Sequence, residues 1–133
     1  MNISTRLVNL ENDYELLSTW WVERQHEIIP KDFLSQLGVM CLIDNKPVGA
    51  MWLYPVIGCK WSMIRFPITT IKSSKEERDI VLNHILDSLF NISKDMGYSK
   101  VFCTTNHENL INKLEQYGMS MTSDNCKHFW GVI

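Results

Sequence analysis

The stretch NHENLINKLEQYGM (106–119) decides how this chain is read. It follows KVFCTT (100–105), an apolar run that reads as a buried strand. Leu110, Ile111, Leu114 and Tyr117 recur three and four residues apart, which is the stripe of an amphipathic helix. Thr105 and Glu108 have the spacing of a capping box, and Gly118 supplies a stop. A strand that ends on Asn106 therefore feeds a helix. Beyond it, MSMTS (119–123) and CKHFWGVI (126–133) read as two final strands joined by a turn at Asp124 and Asn125.

Working upstream, SSKEERDIVLNHILDSLFNISKDMG (73–97) reads as a long helix. Ser73 and Ser74 each have a glutamate three residues on, Glu76 and Glu77, a doubled capping-box pattern. Val81, Ile85, Leu89 and Ile92, flanked by Leu82, Leu86 and Met96, form its buried stripe, and Gly97 ends it. Before this helix the period changes to two. GVMCLI (38–43), VGAMWLYPV (48–56) and KWSMIRFPI (60–68) read as a three-strand meander turning at DNKP and near Gly58. Pro55 and Pro67 mark strand ends or an edge, because proline cannot donate to a ladder. At the N-terminal side, ISTRLVN (3–9) is a first strand and NDYELLSTWWVER (12–24) a helix with Asn12 as its cap. HEIIPKDFLSQLG (26–38) breaks at Pro30 and holds a short second helix. The expected order is β-α-α-β-β-β-α-β-α-β-β, an α/β (α+β) domain spanning 1–133 with a mixed sheet of about six to seven strands and helices on both faces.

At 133 residues the chain fits one domain, and its net charge of −2 argues against nucleic-acid binding by the whole surface. No stretch approaches the roughly 20 apolar residues of a membrane span, and MNISTRLVN lacks the pattern of a secretory signal. Cys41, Cys59, Cys103 and Cys126 contain no C-x-x-C pair. A reduced, cytoplasmic protein is expected. His26, His84, His107 and His128 are not at metal-ligand spacing, so no metal is expected. No glycine-rich phosphate loop follows the first strand, which excludes a doubly wound nucleotide fold.

The order of elements, and above all DMGYSKVFCTTNHENLINKLEQYGM (95–119), resembles the GCN5-related N-acetyltransferase superfamily. MGY ends the long helix, the strand ends on Asn106, and the next helix closes at Tyr117-Gly118, with Met119 where phenylalanine is usual. DYELLSTWWVERQHEIIP and DNCKHFWGVI look like a small, compact branch of that superfamily often found in tailed-phage genomes. The resemblance implies acetyl-coenzyme A as cofactor, bound where two parallel strands splay apart, and an amine acceptor attacking in a ternary complex. It places the pantetheine contacts on the strand bearing Phe66 and Ile68. The pyrophosphate would lie at the loop and helix start carrying Lys72, Ser74, Lys75 and Arg78, and Asn106 would stand at the end of the second strand.

The chemistry usual in that family is thin here. Its glycine-rich loop falls near residues 80–82 by counting back from Gly97, and no glycine is present, although Arg78 can take the leading arginine position. A well-capped surface helix with solvated charges is the alternative reading of that segment. The carboxylate that would deprotonate the amine corresponds to Arg65, and no Asp or Glu lies between Asn45 and Lys75. The tyrosine that would protonate the thiolate corresponds to Leu114, while Tyr117 reads as a core residue. His26 and Glu27, with Arg24 at the end of the first helix, and Tyr54 on the meander are the remaining catalytic candidates. Trp52 reads as packing, and His84 and His128 as structural. A second expectation follows: a catalytically silent binding module, docking a host or phage protein through a basic meander (Lys46, Lys60, Arg65, Lys72, Lys75).

Overall fold

The computed structural model describes residues 1–122 together with Phe129 and Gly131; Cys126, His128, the turn at 124–125 and the strand expected over 126–133 lie outside them. The described elements are β1 (Ile3–Leu7), α1 (Leu10–Glu23), a 3-10 turn (Lys31–Phe33), β2 (Leu37–Ile43), β3 (Lys46–Pro55), β4 (Trp61–Thr69), α2 (Lys75–Asp95), β5 (Lys100–Cys103) and α3 (Glu108–Gln116). They build one mixed sheet of five strands in the order β1-β2-β3-β4-β5, antiparallel except for the parallel β4–β5 pair. The six to seven strands expected from sequence are thus five among the described residues, and residues 119–122 form none. Their alternation has the right period, but a strand also needs a ladder partner, which periodicity cannot supply.

Local chemistry explains the elements. Asp44 and Asn45, with φ of 49° and 66°, make the tight left-handed turn between β2 and β3 that Asx residues tolerate. Of the doubled capping box on α2 only one forms: Ser74 Oγ accepts from Glu77 N–H at 3.1 Å, and Glu77 Oε1 accepts from Ser74 N–H at 2.9 Å. The Ser73 hydroxyl is spent on the Thr70 carbonyl at 2.6 Å. The cap of α1 is Asn9, accepting from Glu11 N–H, rather than Asn12, which lies inside the helix. Likewise α3 has His107 as N-cap without a side-chain bond, because Thr105 Oγ1 accepts from His107 N–H and closes a turn before the helix begins.

Two cores lie on opposite faces of the sheet. Val39, Cys41, Met51, Leu53 and Ile64 meet Val81, Ile85, Leu86 and Leu89 of α2 and Leu110 and Leu114 of α3. On the other face Met40, Ala50, Trp52 and Ile68 meet Leu17, Trp20 and Trp21 of α1. Trp52 is fully buried, as packing requires, and its indole lies so close over Gly38 that a Cβ there would collide with it. Arg6 of β1 and the buried Asp13 of α1 form a two-pronged ion pair at 2.7 and 2.9 Å, and Asp13 also accepts from Asn9 N–H. This pair ties the first helix to the sheet edge.

Candidate active site: a cleft where two parallel strands part

β4 and β5 are paired from Trp61 with Lys100 to Ile64 with Cys103, and there the pairing stops. β4 runs on to Thr69 with no strand on that side among the described residues. A bulge coincides with the parting. Trp52 faces Arg65 and Ala50 faces Ile68, so Phe66 and Pro67 together oppose Met51. Phe66 has φ of 60°, a conformation that costs a bulky residue on the order of 1–3 kcal/mol. Pro67 is tolerated here because it lies in the bulge, where the ladder is interrupted.

The parting opens a cleft of about 350 Å³ bounded by the end of α1, the end of β4, and the starts of α2 and α3. Pro67, Ile68, Ile71, Leu82 and Leu110 give it an apolar lining. Its rim carries Arg24, Lys75 and Arg78, against Glu23 and Asp79. Asp79 lies 3.8 Å from the Lys113 ammonium, and none of the three rim cations has an ion pair among the described residues. Arg24 reaches from the end of α1 across to the loop after β4. Its Nε donates to the Thr69 carbonyl at 2.6 Å, and its Nη2 donates to Thr69 Oγ1 at 2.9 Å and the Thr70 carbonyl at 3.2 Å. Arg78 Nη1 donates to the Ser73 carbonyl at 2.6 Å, so two guanidiniums brace one short loop. Burial, and next the positive charge of Arg78, hold Arg24 below its ordinary pKa, with Glu23 opposing.

The cleft brings together some of the expected residues. Ile68, Lys75, Arg78 and His26 line it, with Arg24. Phe66 sits at the bulge with its ring edge-on to Tyr54 at 6.0 Å, on the α1 side. Ser74 is occupied as a cap, and Lys72 and Asn106 are exposed outside the lining. Glu27 is exposed beyond α1 and does not line the cleft. Tyr54 donates its hydroxyl to the Phe33 carbonyl at 2.8 Å, and burial raises its pKa, partly offset by a backbone hydrogen bond and Arg65. Residues 80–82, where counting put the glycine positions, lie inside α2 with Val81 in the core; the loop itself is 70–74. Sequence reading passed over His107 and Thr69, which also line the cleft. Arg65 is exposed, 4.9 Å over the Phe66 ring.

Leu114 is 7% exposed in the core and carries no proton. Tyr117 is half-buried against Phe90, and its hydroxyl donates to Asp87 Oδ1 at 2.6 Å beside the Asn83 carbonyl. Burial first, then Asp87, raises its pKa far above the ordinary phenol value. Tyr117 faces a separate hollow of about 440 Å³ by the paired ends of β4 and β5, away from the parting.

No family model and no curated protein sequence matches this chain. Solved structures do. An N-acetyltransferase from Staphylococcus aureus Mu50 superposes with TM-score 0.71 at 9% identity, over 92% of this chain and 86% of that one. A transcriptional regulator from Bacillus halodurans C-125 gives 0.71 at 12% identity, over 97% and 100%. Rv2747 from Mycobacterium tuberculosis, solved in complex with CoA, gives 0.67 at 14% identity, over 84% and 70%. The chain has the fold of the GCN5-related N-acetyltransferases.

Proposed function

We propose that this chain binds acetyl-coenzyme A in the β4–β5 cleft and transfers the acetyl group to an amine by direct attack in a ternary complex. The observation that carries the proposal is the pairing of an apolar slot with three rim cations, none of them in an ion pair among the described residues, around the start of α2. Arg24, Lys75 and Arg78 would hold a pyrophosphate, and Ile68, Ile71 and Leu110 would pack along an extended arm. The missing glycines matter less where guanidiniums do the binding, although Glu76 and Glu77 in the first turn of α2 reduce its appeal to anions. The bound cofactor supplies the activated acyl group. A neutral amine is the nucleophile, so a proton must leave it. His26 is the one candidate base of the three that lines the cleft. Loss of a dedicated base costs about 10²–10⁴-fold, which slows transfer without abolishing it.

A second reading, the silent binding module, is favoured by the same absences: no carboxylate on β3 or β4, and a core leucine at 114. Calorimetric titration with acetyl-coenzyme A separates the two. Ligand at about 100 times its dissociation constant stabilises the fold by about 2.7 kcal/mol. No binding at roughly millimolar ligand, about −4 kcal/mol in affinity, refutes the transferase and leaves the module. Cytoplasmic residence, in a host cell if the gene is viral, is part of the proposal. Cys41, Cys59 and Cys103 are free thiols, and no helix among the described residues is long and apolar enough to cross a membrane.

A further inference from the structure

The sheet face that α1 covers is not covered along its whole width. α1 lies over β2, β3 and the far end of β4 through Trp20, Trp21 and Leu17. Cross-strand register puts Met63 and Arg65 of β4 on this same face, since they pair with Tyr54 and Trp52. Trp61 is two residues before Met63, and its parallel partner Lys100, with Phe102 opposite Met63, extends the face onto β5. Among the described residues no helix covers the face here. Trp61 is 43% exposed and Phe102 36%, and their rings stack at 5.2 Å and 16°. Ile57, in the turn leading into β4, is 96% exposed beside them in the chain. An exposed aromatic pair on a sheet face is the kind of apolar anchor that contacts use.

The two segments that build it carry charge of one sign. No Asp or Glu occurs between Asn45 and Lys75, nor between Met96 and His107, the two segments that build this end of the sheet. Arg65 and Lys100 rise from the face itself, whereas Lys60, one residue before Trp61, falls on the opposite face with its ammonium near Gly97 at the end of α2. Neither Arg65 nor Lys100 has an ion pair among the described residues. The chain as a whole is slightly acidic, so the segregation is local. None of these residues lines the β4–β5 cleft.

We infer that the strip Trp61–Met63–Phe102, bordered by Arg65 and Lys100, is a docking surface for an acidic segment of another protein. An aromatic or aliphatic side chain of the partner would set on the Trp61–Phe102 pair while its carboxylates meet the two cations. Apolar contact supplies the anchor and charge supplies the selection. The surface stands apart from acyl transfer and operates whether or not the cleft binds a cofactor.

The test uses the full chain and a labelled synthetic peptide of about 12 residues, Asp- and Glu-rich with a central Phe, followed by fluorescence anisotropy at roughly 50 mM salt. Saturable binding is expected, weakened at least about tenfold by the double reversal R65E/K100E and by Trp61→Ala. A lysine-rich peptide of the same length should not bind. All three positions are exposed, and a thermal melt of each variant confirms folding before binding is read. Absence of saturation with the acidic peptide, or equal binding by R65E/K100E, overturns the inference. Tighter binding of an oligothymidylate of similar length overturns it too, by assigning the surface to single-stranded nucleic acid.

Discussion

Arg24→Met tests whether the loop at the mouth of the cleft is braced as described. The substitution keeps most of the apolar stem and removes the guanidinium. Three hydrogen bonds are lost, to the Thr69 carbonyl, Thr69 Oγ1 and the Thr70 carbonyl. Bonds from a charged donor are each worth about 1.5–3 kcal/mol when buried. Two effects reduce the sum. Arg24 is only half-buried, so water replaces part of what is lost, and the repulsion from Arg78 disappears with the charge. A net loss of about 2 kcal/mol is expected. For a chain of 133 residues that corresponds to a fall in Tm of roughly 7 °C. Urea denaturation and a thermal melt give the stability, and acetyl-coenzyme A titration should show at least about a tenfold weaker ligand, since one of two facing guanidiniums is gone. A variant within about 0.5 kcal/mol of the parent would refute the bracing. A destabilised variant with unchanged ligand affinity would place the anion elsewhere.

Tyr117→Phe should leave acetyl-coenzyme A affinity and any turnover within about twofold while costing about 1 kcal/mol of stability, because its hydroxyl is engaged with α2. A drop in turnover of about 100-fold would restore it as the proton donor. Gly38→Ala forces a Cβ into the Trp52 indole and should destabilise by about 1–3 kcal/mol in a denaturant melt; the double variant with Trp52→Phe should lose less than the two single losses added together. The Arg6–Asp13 pair sets an acid limit. Arg6 first, then the Asn9 N–H, holds the Asp13 pKa below its ordinary value, with burial opposing. A depressed carboxylate stabilises the fold above the unfolded pKa of about 3.9, and that stability is lost as pH falls through the lower folded value. As pH is lowered below about 3.9, Tm should therefore fall more for the parent than for Asp13→Asn. Burial pushes the Cys41 and Cys103 thiols up to about 11, so alkylation near neutral pH, mapped by mass spectrometry, should find exposed Cys59 well before either. Equal labelling of Cys103 would mean that the end of β5 is open in solution.

Period and punctuation carried most of the fold in the sequence. The stripe of Val81, Ile85 and Leu89, the Ser74–Glu77 box and the stop at Gly97 are local features, each set by residues a few positions apart, and α2 appears where they put it. The Asp44-Asn45 turn and the helix ending at Tyr117-Gly118 are local in the same way. Competition among adjacent caps was not legible: Asn9 against Asn12, or Ser74 against Ser73, is decided by which hydroxyl or amide the folded backbone presents. The end of α1 was placed to within one residue, although Gln25, not glycine, takes the left-handed position with φ of 59°.

What belongs to tertiary structure is the site. Arg24 and Thr69 are 45 residues apart, and their bond exists only because α1 crosses the end of β4. The bulge at Phe66, beside the parting of β4 from β5, is one that a phenylalanine in sequence does not announce, since nothing about the residue type favours φ of 60°. The bare strip of Trp61 and Phe102 is likewise set by how far α1 extends over the sheet. Sequence by itself determined the helices α1, α2 and α3 and the strands from β1 to β5 in their order, because those are properties of short segments. Only the folded sheet decided which cations converge, which tyrosines are spent and which aromatics stay exposed, because those depend on contacts between segments that are distant along the chain.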